Sequence, residues 1–414
     1  MQFQIIILGA GIIGVSSALH LQAKGYQVAL IDKASPGKST SYGNAGLIER
    51  SSVIPYSFPR EFTSLLRYGL NRQADVRYSF SFLPKATPWL LSYWNHSAPA
   101  ALDKAAAAML PLIERCVAEH DQFVEAAKLN RFVKDQGWIE IFRSKKAFSK
   151  AKSDALALTK YGLTFDLLDG PALRAREPHL SHTVVGGVHW LDPKTVSNPG
   201  ALVEGYCSLF KERGGKVLHG DARTLKQTST HWQIDSHNGV ITAPEVVVAL
   251  GPQSPDVYTK LGYRFPMGIK RGYHQHYRNL NNTSLQHPVC DTKGGFVLSQ
   301  MDMGIRLTTG VELASETDAV NAIQLERCEK IARNIFPLGE PVDVEPWLGL
   351  RPCFPDMKPI IGPAPDHKGL WFNFGHAHHG LTLGPVCGRL LSEMIAGDSP
   401  FTSPTPYSAS RFKY

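Results

Sequence analysis

The most specific chemical signal in the chain is Gly9-Ala10-Gly11-Ile12-Ile13-Gly14, which stands between an apolar stretch of strand length (3–8) and one with apolar residues at helical spacing (12–24). In that setting the first glycine permits a tight turn, the second lets backbone amides approach a pyrophosphate, and the third lets helix pack closely on strand. Asp32, 23 residues after Gly9, supplies a carboxylate that accepts hydrogen bonds from a ribose diol and would repel a 2′-phosphate. FAD and NAD share the ADP half that these residues read, so the fingerprint leaves the choice between them open. Ser39-Thr40-Ser41-Tyr42-Gly43-Asn44-Ala45-Gly46 offers hydroxyls and backbone amides to a pyrophosphate and a flavin ring edge, or is an ordinary polar loop. Val248-Ala249-Leu250-Gly251 ends a buried strand in a turn where backbone comes close to a cofactor. Gly375-His376-Ala377-His378-His379-Gly380-Leu381-Thr382 precedes a helical stretch with an apolar face (Leu383, Val386, Leu390, Leu391) and a stop at Gly397. A helix N-terminus aimed at a flavin pyrimidine ring would stabilise the negative charge of the reduced ring.

These residues need a scaffold, and the pattern predicts one. Residues 3–8, 12–24 and 28–31 form a βαβ unit. Residues 55–94, rich in aromatic and basic residues, read as irregular or short-helical cover, and 101–128 as a helix. Residues 138–142, 187–191 and 271–277 read as strands of a second, mostly antiparallel sheet. Asn198-Pro199-Gly200 opens a helix that runs to Arg213, and 216–218 is a strand. A hairpin with arms 232–235 and 240–242 turns at Asn238-Gly239 and leads into the buried strand 246–250. The nucleotide-binding domain is therefore expected to be discontinuous, from 1–55, 194–260 and 336–414, with a substrate or cap domain from 56–193 and 261–335.

Composition sets the outer limits. A chain of 414 residues with 43% hydrophobic and 19% charged positions is neither disordered, nor a coiled coil, nor collagen-like. The longest apolar run, 3–19, is broken by Gln4, three glycines and two serines and has no Lys or Arg before it, so it fits neither a spanning helix nor a secretory signal. A cytoplasmic location is expected, with peripheral contact at the inner face of the cytoplasmic membrane as an extension of it. The six cysteines lie at least 25 residues apart with no Cys-x-x-Cys pair, and His376, His378 and His379 lack carboxylate or cysteine partners in sequence, so no metal is expected. A net charge of +8 favours anionic substrates or an anionic membrane, and no motif supports nucleic acid as a partner.

Taken in order, the fingerprint with Asp32, the 39–46 segment, Asn198-Pro199-Gly200, Trp347-Leu348-Gly349-Leu350-Arg351-Pro352 with Pro355-Asp356 and Pro359-Ile360-Ile361-Gly362, and the terminal glycine-rich stretch resemble the FAD-dependent D-amino-acid oxidoreductases. The resemblance covers almost the full length and is nearest to the bacterial D-amino-acid dehydrogenase branch, of small-subunit type. It implies an α/β fold with a Rossmann-like FAD-binding domain of glutathione-reductase type and a second α+β domain built on a mostly antiparallel sheet. It extends the expected FAD contacts to Lys33, Leu47, Ala222 and Gly251. It assigns Arg351 to a bidentate pair with the substrate α-carboxylate. Tyr273, in Lys270-Arg271-Gly272-Tyr273-His274, is a second carboxylate contact or sheet packing, and His379 a flavin or substrate contact. Glu49, Arg50 and Tyr56 line the substrate cavity or do nothing special.

Where some relatives hold flavin through a cysteine this chain has Gly349, with Cys353 four positions away, so non-covalent FAD is expected. The implied reaction is oxidation of D-amino or cyclic D-imino acids by hydride transfer from Cα to flavin N5. The aromatic 55–94 stretch suits an apolar or cyclic substrate such as D-proline or cis-4-hydroxy-D-proline. The acceptor is expected to be a quinone or the respiratory chain rather than NAD, and the run Arg143, Lys145, Lys146, Lys150 and Lys152 touches an anionic membrane or is a solvated face. A glycine- or sarcosine-type oxidase, an FAD-binding subunit of a multi-subunit dehydrogenase and an NAD-linked dehydrogenase are the alternatives.

Overall fold

Ile5–Leu8 has no exposed side chain, and in the computed structural model, which describes residues 1–412, it runs through the middle of a six-stranded sheet. The strand order is Lys216–His219, Val28–Asp32, Ile5–Leu8, Glu245–Val248, Leu370–Phe374 and Ile360–Pro363. The first five are parallel and the last is antiparallel. Burial on both faces explains the unbroken apolar run. Ile5 and Ile7 pack with the helices Ile12–Ala23, Pro99–Ala126, Pro199–Glu212 and Gly380–Ala396, while Ile6 and Leu8 pack with Trp232, Ile234 and Ile241. Those last residues belong to a small antiparallel sheet whose hairpin, Trp232–Ser236 with Gly239–Ala243, turns at His237-Asn238, one residue before the expected Asn238-Gly239, with Gly239 (φ +93°) opening the second strand opposite Ser236. The chain leaves Ile5–Leu8 toward Val28–Asp32 on one side, and Glu245–Val248 lies on the other, so a crevice opens beyond the carboxyl ends of the two central strands.

A second sheet of eleven strands supplies the rest of the scaffold. Its spine is Gly268–Asn279, paired antiparallel with Gly304–Thr309 on one side and with Trp347–Cys353 on the other. Trp347–Cys353, grouped by sequence with the C-terminal nucleotide-binding segment, thus hydrogen-bonds into this sheet, with Arg351 opposite Lys270 and Gly349 opposite Gly272. The sheet also contains Trp138–Phe142 and Gly186–Trp190, and its pairings are antiparallel apart from Val289–Asp291 with Trp138–Phe142 and Val311–Leu313 with Val76–Tyr78. The 55–94 region folds as the helices Phe62–Gly69 and Leu83–His96 with the strand Val76–Tyr78 between them. Among the described residues no helix is long and apolar enough to cross a membrane.

Candidate active site

A cavity of about 840 Å³ extends from the crevice to the spine of the second sheet. Its wall includes Gly9, Gly11, Ile12, Ile13, Asp32, Lys33, Ser39, Thr40, Ser41, Gly43, Asn44, Ala45, Leu47, Ala222, Gly251, Gly380, Leu381 and Thr382, together with Arg351, Tyr273 and His379. Four expected cofactor residues, Ala10, Gly14, Gly46 and Gly375, stand behind it. Ala10 donates its N–H to Asp32 Oδ2 (2.7 Å), tying the turn to the acidic residue. Gly9 has φ +107°, and a Cβ there would lie 2.5 Å from Ala249 O, so bare backbone lines the crevice between the two strands. At Gly14 a Cβ would collide with the Gly9 carbonyl oxygen. Gly46 and Gly375 lie against Val196 and Phe354 and shape turns. Ile12 N–H, at the start of its helix, donates to Ser41 Oγ (3.1 Å), which brings the 39–46 segment to the same end.

That segment is held by residues the sequence did not single out. Arg306 is buried and donates from Nη1 to the carbonyls of Tyr42 (2.8 Å) and Asn44 (2.7 Å) and from Nε to His276 Nε2 (3.0 Å). Since Nε2 accepts, the proton of neutral His276 is on Nδ1, which faces Asp343 Oδ2 at 2.8 Å. Ser299 Oγ donates to Ala45 O (2.8 Å). Asn44 Oδ1 accepts from Gly46 N–H (2.8 Å), and Thr382 Oγ1 accepts from Glu49 N–H (3.0 Å), joining the segment to the C-terminal helix. That helix starts at Gly380 with no side-chain cap on its N-terminal amides. His120, buried with its pKa lowered to about 4, donates from Nε2 to Leu381 O (2.7 Å) and accepts at Nδ1 from Tyr206 (2.9 Å). Arg306, His276, Asp343, Ser299 and His120 are scattered over the chain without motif spacing, so only the fold relates them.

At the other end of the cavity Arg351 donates from Nη1 to Gly310 O (2.6 Å) and from Nη2 to Thr309 O (3.0 Å). Burial lowers its pKa, and among the described residues no carboxylate forms an ion pair with it. Gly272 lies directly against the guanidinium. Lys270, one pleat along on the same face, is buried against Tyr93 (4.1 Å to the ring centroid) and Trp89, and burial lowers its pKa.

Tyr273 corrects an expectation. It contributes to the wall, but its side chain lies on the opposite face of the strand, where its hydroxyl donates to Glu312 Oε2 and accepts from Arg271 Nη2 (2.9 Å). Alternation along Gly268–Asn279 puts Arg271 and Tyr273 together and away from Lys270 and Gly272, so that hydroxyl is committed to the Arg271–Glu312 ion pair and not to a carboxylate beside Arg351. Arg50 likewise turns away from the cavity, to Tyr161 O (3.0 Å), whereas Glu49 and Tyr56 line it.

The 375–379 turn closes the floor. Ala377 has φ +52° and its N–H donates to Pro352 O (2.9 Å), which fastens the turn beside Arg351. His378 lies between the rings of Tyr56 (4.7 Å) and His379 (3.8 Å), and His379 Nε2 meets Ser52 Oγ at 3.3 Å. Burial lowers the pKa of His376 to about 3 and of His379 to about 4, and holds His378 well below the usual range. All three are neutral at pH 7. Nε2 of His376 and of His378 is buried with no protein partner.

The wall thus offers bare backbone for a pyrophosphate, a carboxylate for a ribose, and a helix N-terminus with unpartnered imidazoles for a polar ring, which is what an FAD needs. The family model for FAD dependent oxidoreductases matches residues 4–394. The chain belongs to that family. FAD is its cofactor, and Gly9, Gly11, Asp32, most of the 39–47 segment and the Gly380 helix terminus line the cavity that would receive it. Within the family the chain is 29% identical to a D-amino-acid oxidase of Bradyrhizobium diazoefficiens over 99% of its own length and 98% of the relative's. It is 28% identical to a D-amino acid dehydrogenase of Chromohalobacter salexigens, covering 99% of each chain. Its fold matches that of glycine oxidase from Geobacillus kaustophilus with a TM-score of 0.74 at 19% identity, over 100% of both chains. The family oxidoreductase thus has an α/β fold of the expected kind.

Proposed function

We propose that this protein oxidises the Cα–N bond of D-amino or cyclic D-imino acids. The observation that carries the reading is Arg351, a half-buried guanidinium on the cavity wall whose partners among the described residues are two backbone carbonyls and no carboxylate. Such a cation facing a cavity suits an anion there, and its planar fork matches a carboxylate. The names of the full-length relatives support an amino acid, and its D form, as the bearer of that carboxylate.

Bound FAD supplies a two-electron, hydride-accepting oxidant. Arg351 fixes the substrate carboxylate and so the position of Cα. Tyr56, Trp89, Tyr93 and Met357 give the cavity an apolar wall that excludes water, in keeping with a cyclic substrate such as D-proline or cis-4-hydroxy-D-proline. His378 and His379, kept neutral by burial, add no positive charge that would repel a substrate amine. The chain division 1–55, 194–260 and 336–414 against 56–193 and 261–335 remains our proposal for the two domains, with Trp347–Cys353 bridging them by its pairing.

For the acceptor we favour a quinone or another respiratory-chain component, reached at an anionic membrane surface. Helix Phe62–Gly69 has no buried residue, and Phe62 (72% exposed), Leu66, Leu70 and Phe80 protrude beside Arg60, Arg67 and Arg72. Anaerobic mixing of the FAD-loaded chain with D- and L-amino acids, D-proline, cis-4-hydroxy-D-proline, glycine and sarcosine tests the reading through flavin absorbance. Bleaching by D-substrates alone is expected. Bleaching by glycine and sarcosine alone would make it an oxidase of that type. Bleaching by none would point to a subunit that works only with partner chains.

A further inference from the structure

With the Tyr273 hydroxyl committed to Glu312, the carboxylate clamp at Arg351 lacks its expected second member, and the spine strand carries another on the correct face. Positions 268, 270, 272 and 274 of Gly268–Asn279 share one face. Two of them are glycines with a side chain from elsewhere laid on them. A Cβ at Gly268 would lie 2.7 Å from Trp89 Cε2, and one at Gly272 would lie 2.5 Å from Arg351 Cζ. Lys270 stands between these two positions. Arg351 is its partner across the strand pair, a relation in which the Cβ atoms are about 5 Å apart. Lys270, Trp89 and Arg351 all line the cavity.

Lys270 is only 9% exposed, yet its ammonium has no anion beside it. It lies 4.1 Å from the ring centroid of Tyr93 and 5.4 Å from that of Trp89, and among the described residues its hydrogen-bonding contact is a weak acceptor, Met357 Sδ, at 3.9 Å. Glu49, Asp75 and Asp291, which share the cavity wall, are bonded instead to Ser51, Tyr68 and Arg143. Two cations thus stand side by side with no protein carboxylate between them, which makes each charge costly to hold until an anion arrives. Burial and the nearby guanidinium lower the lysine pKa accordingly.

We propose that Lys270 is the second cation of the carboxylate clamp, its ammonium donating to the same substrate carboxylate that the Arg351 fork grips. The assignment rests on the reading of Arg351 given above and completes that end of the site. A carboxylate has acceptor sites for a bidentate guanidinium and for a further donor, and one such group relieves both cations at once. An amine without a carboxylate meets two positive charges and is turned away, which adds to selectivity.

The test compares the FAD-loaded full chain with Lys270→Met, Lys270→Gln and Arg351→Met, each checked for flavin content and thermal melting. Methionine suits a box of Tyr93, Trp89 and Met357, so Lys270→Met should melt at or above the wild-type temperature. Binding of cyclopentanecarboxylate, which has no C–N bond to oxidise, is followed by calorimetry from about pH 6 to pH 10. Steady-state rates are measured on the best D-substrate with an artificial acceptor. Lys270→Met should weaken cyclopentanecarboxylate about tenfold or more and raise KM by a similar factor, with less effect on kcat, and Lys270→Gln should lose less. Around Lys270, burial holds His378 neutral and raises Tyr93 and Cys353, while Arg351 stays charged. The ligand favours the protonated lysine, so wild-type affinity should fall as pH rises toward 10, and Lys270→Met should lack that fall. Unchanged cyclopentanecarboxylate affinity in Lys270→Met, or a pH-dependent fall that persists in it, overturns the proposal. Unchanged affinity together with a lower kcat and a shifted pH–rate profile overturns it in favour of a role at the substrate amine. If Arg351→Met leaves the affinity unchanged, the reading of Arg351 fails, while Lys270→Met still reports on the lysine.

Discussion

Gly272→Ala is a way to move Arg351 without removing it. A Cβ at position 272 would lie 2.5 Å from Arg351 Cζ, whereas ordinary contact begins near 3.4 Å. The strand itself has no reason to yield: Gly272 is not in the left-handed region, and its pairing with Gly349 is backbone to backbone. The guanidinium is the free end of a long side chain, so it retreats by about 1 Å, stretching its bonds to Gly310 O and Thr309 O and displacing the substrate carboxylate with it. A misplacement of that size costs about a hundredfold in kcat/KM, or ~2.7 kcal/mol at 1.36 kcal/mol per decade. Most of it should appear in KM, because the carboxylate is gripped before and during the reaction alike. The assay is steady-state oxidation of the best substrate with an artificial acceptor, alongside flavin content and a thermal melt that should stay near wild type. A fully loaded, normally melting Gly272→Ala enzyme with kcat/KM within threefold of wild type would refute the placement of the substrate carboxylate on Arg351.

Gly9→Ala forces a side chain into a +107° φ and against Ala249 O, and should leave a protein that loses FAD on gel filtration while the wild type stays yellow. Arg306→Met removes both clamps on the Tyr42 and Asn44 carbonyls and should raise the FAD dissociation constant by tenfold or more, a loss comparable to ~1.4 kcal/mol, read by titration of flavin fluorescence. His120, His376 and His379 titrate near 4, 3 and 4 in the folded chain against 6.5 when unfolded, so from pH 6.5 downward the unfolded state takes up protons that the folded state refuses. Their stabilising contribution, joined by that of His20 and His189, lowered to about 3 and about 4, is complete above pH 6.5 and drains away toward pH 4, and it outweighs the opposing raised carboxyls of Glu49, Glu140 and Glu316. The urea midpoint should therefore be lower at pH 5 than at pH 7.5, and an equal or higher midpoint at pH 5 would contradict their neutrality. The cysteine of the strand beside the cavity, Cys353, donates from Sγ to Arg351 O (3.4 Å) and burial raises its pKa, so acid precipitation should release all flavin to the supernatant.

The cofactor half was legible because its requirements are local. A strand, three glycines and an acidic residue at the next strand's end must be close in sequence to be close in space, and Ile5–Leu8 through Asp32 lie where the pattern put them. The hairpin, within one residue of Asn238-Gly239, and the helix after Asn198, whose Oδ1 accepts from Ala201 N–H (3.0 Å), follow from turn and cap chemistry of the same short range. The substrate half was harder because it depends on which way side chains point from a strand. Tyr273 and Gly272 are neighbours in sequence, yet one faces a sealed ion pair and the other the guanidinium, and residue type alone does not give that phase. Arg306 was invisible for a related reason: a lone arginine in a strand looks like a surface residue until the loop it holds is folded over it.

The cavity is walled by stretches from residue 9 to residue 382, and many of the contacts between them run around its contents. Filling it therefore makes the vitamin-derived ligand a fastening between distant parts of the chain. By mass action, free FAD at a hundred times its dissociation constant adds about 2.7 kcal/mol to folding. That shifts the fraction of molecules open to proteolysis by about a hundredfold. The amount of this protein that a cell keeps should thus follow its supply of riboflavin even when transcription does not change, and holoprotein would outlast apoprotein under the same proteases.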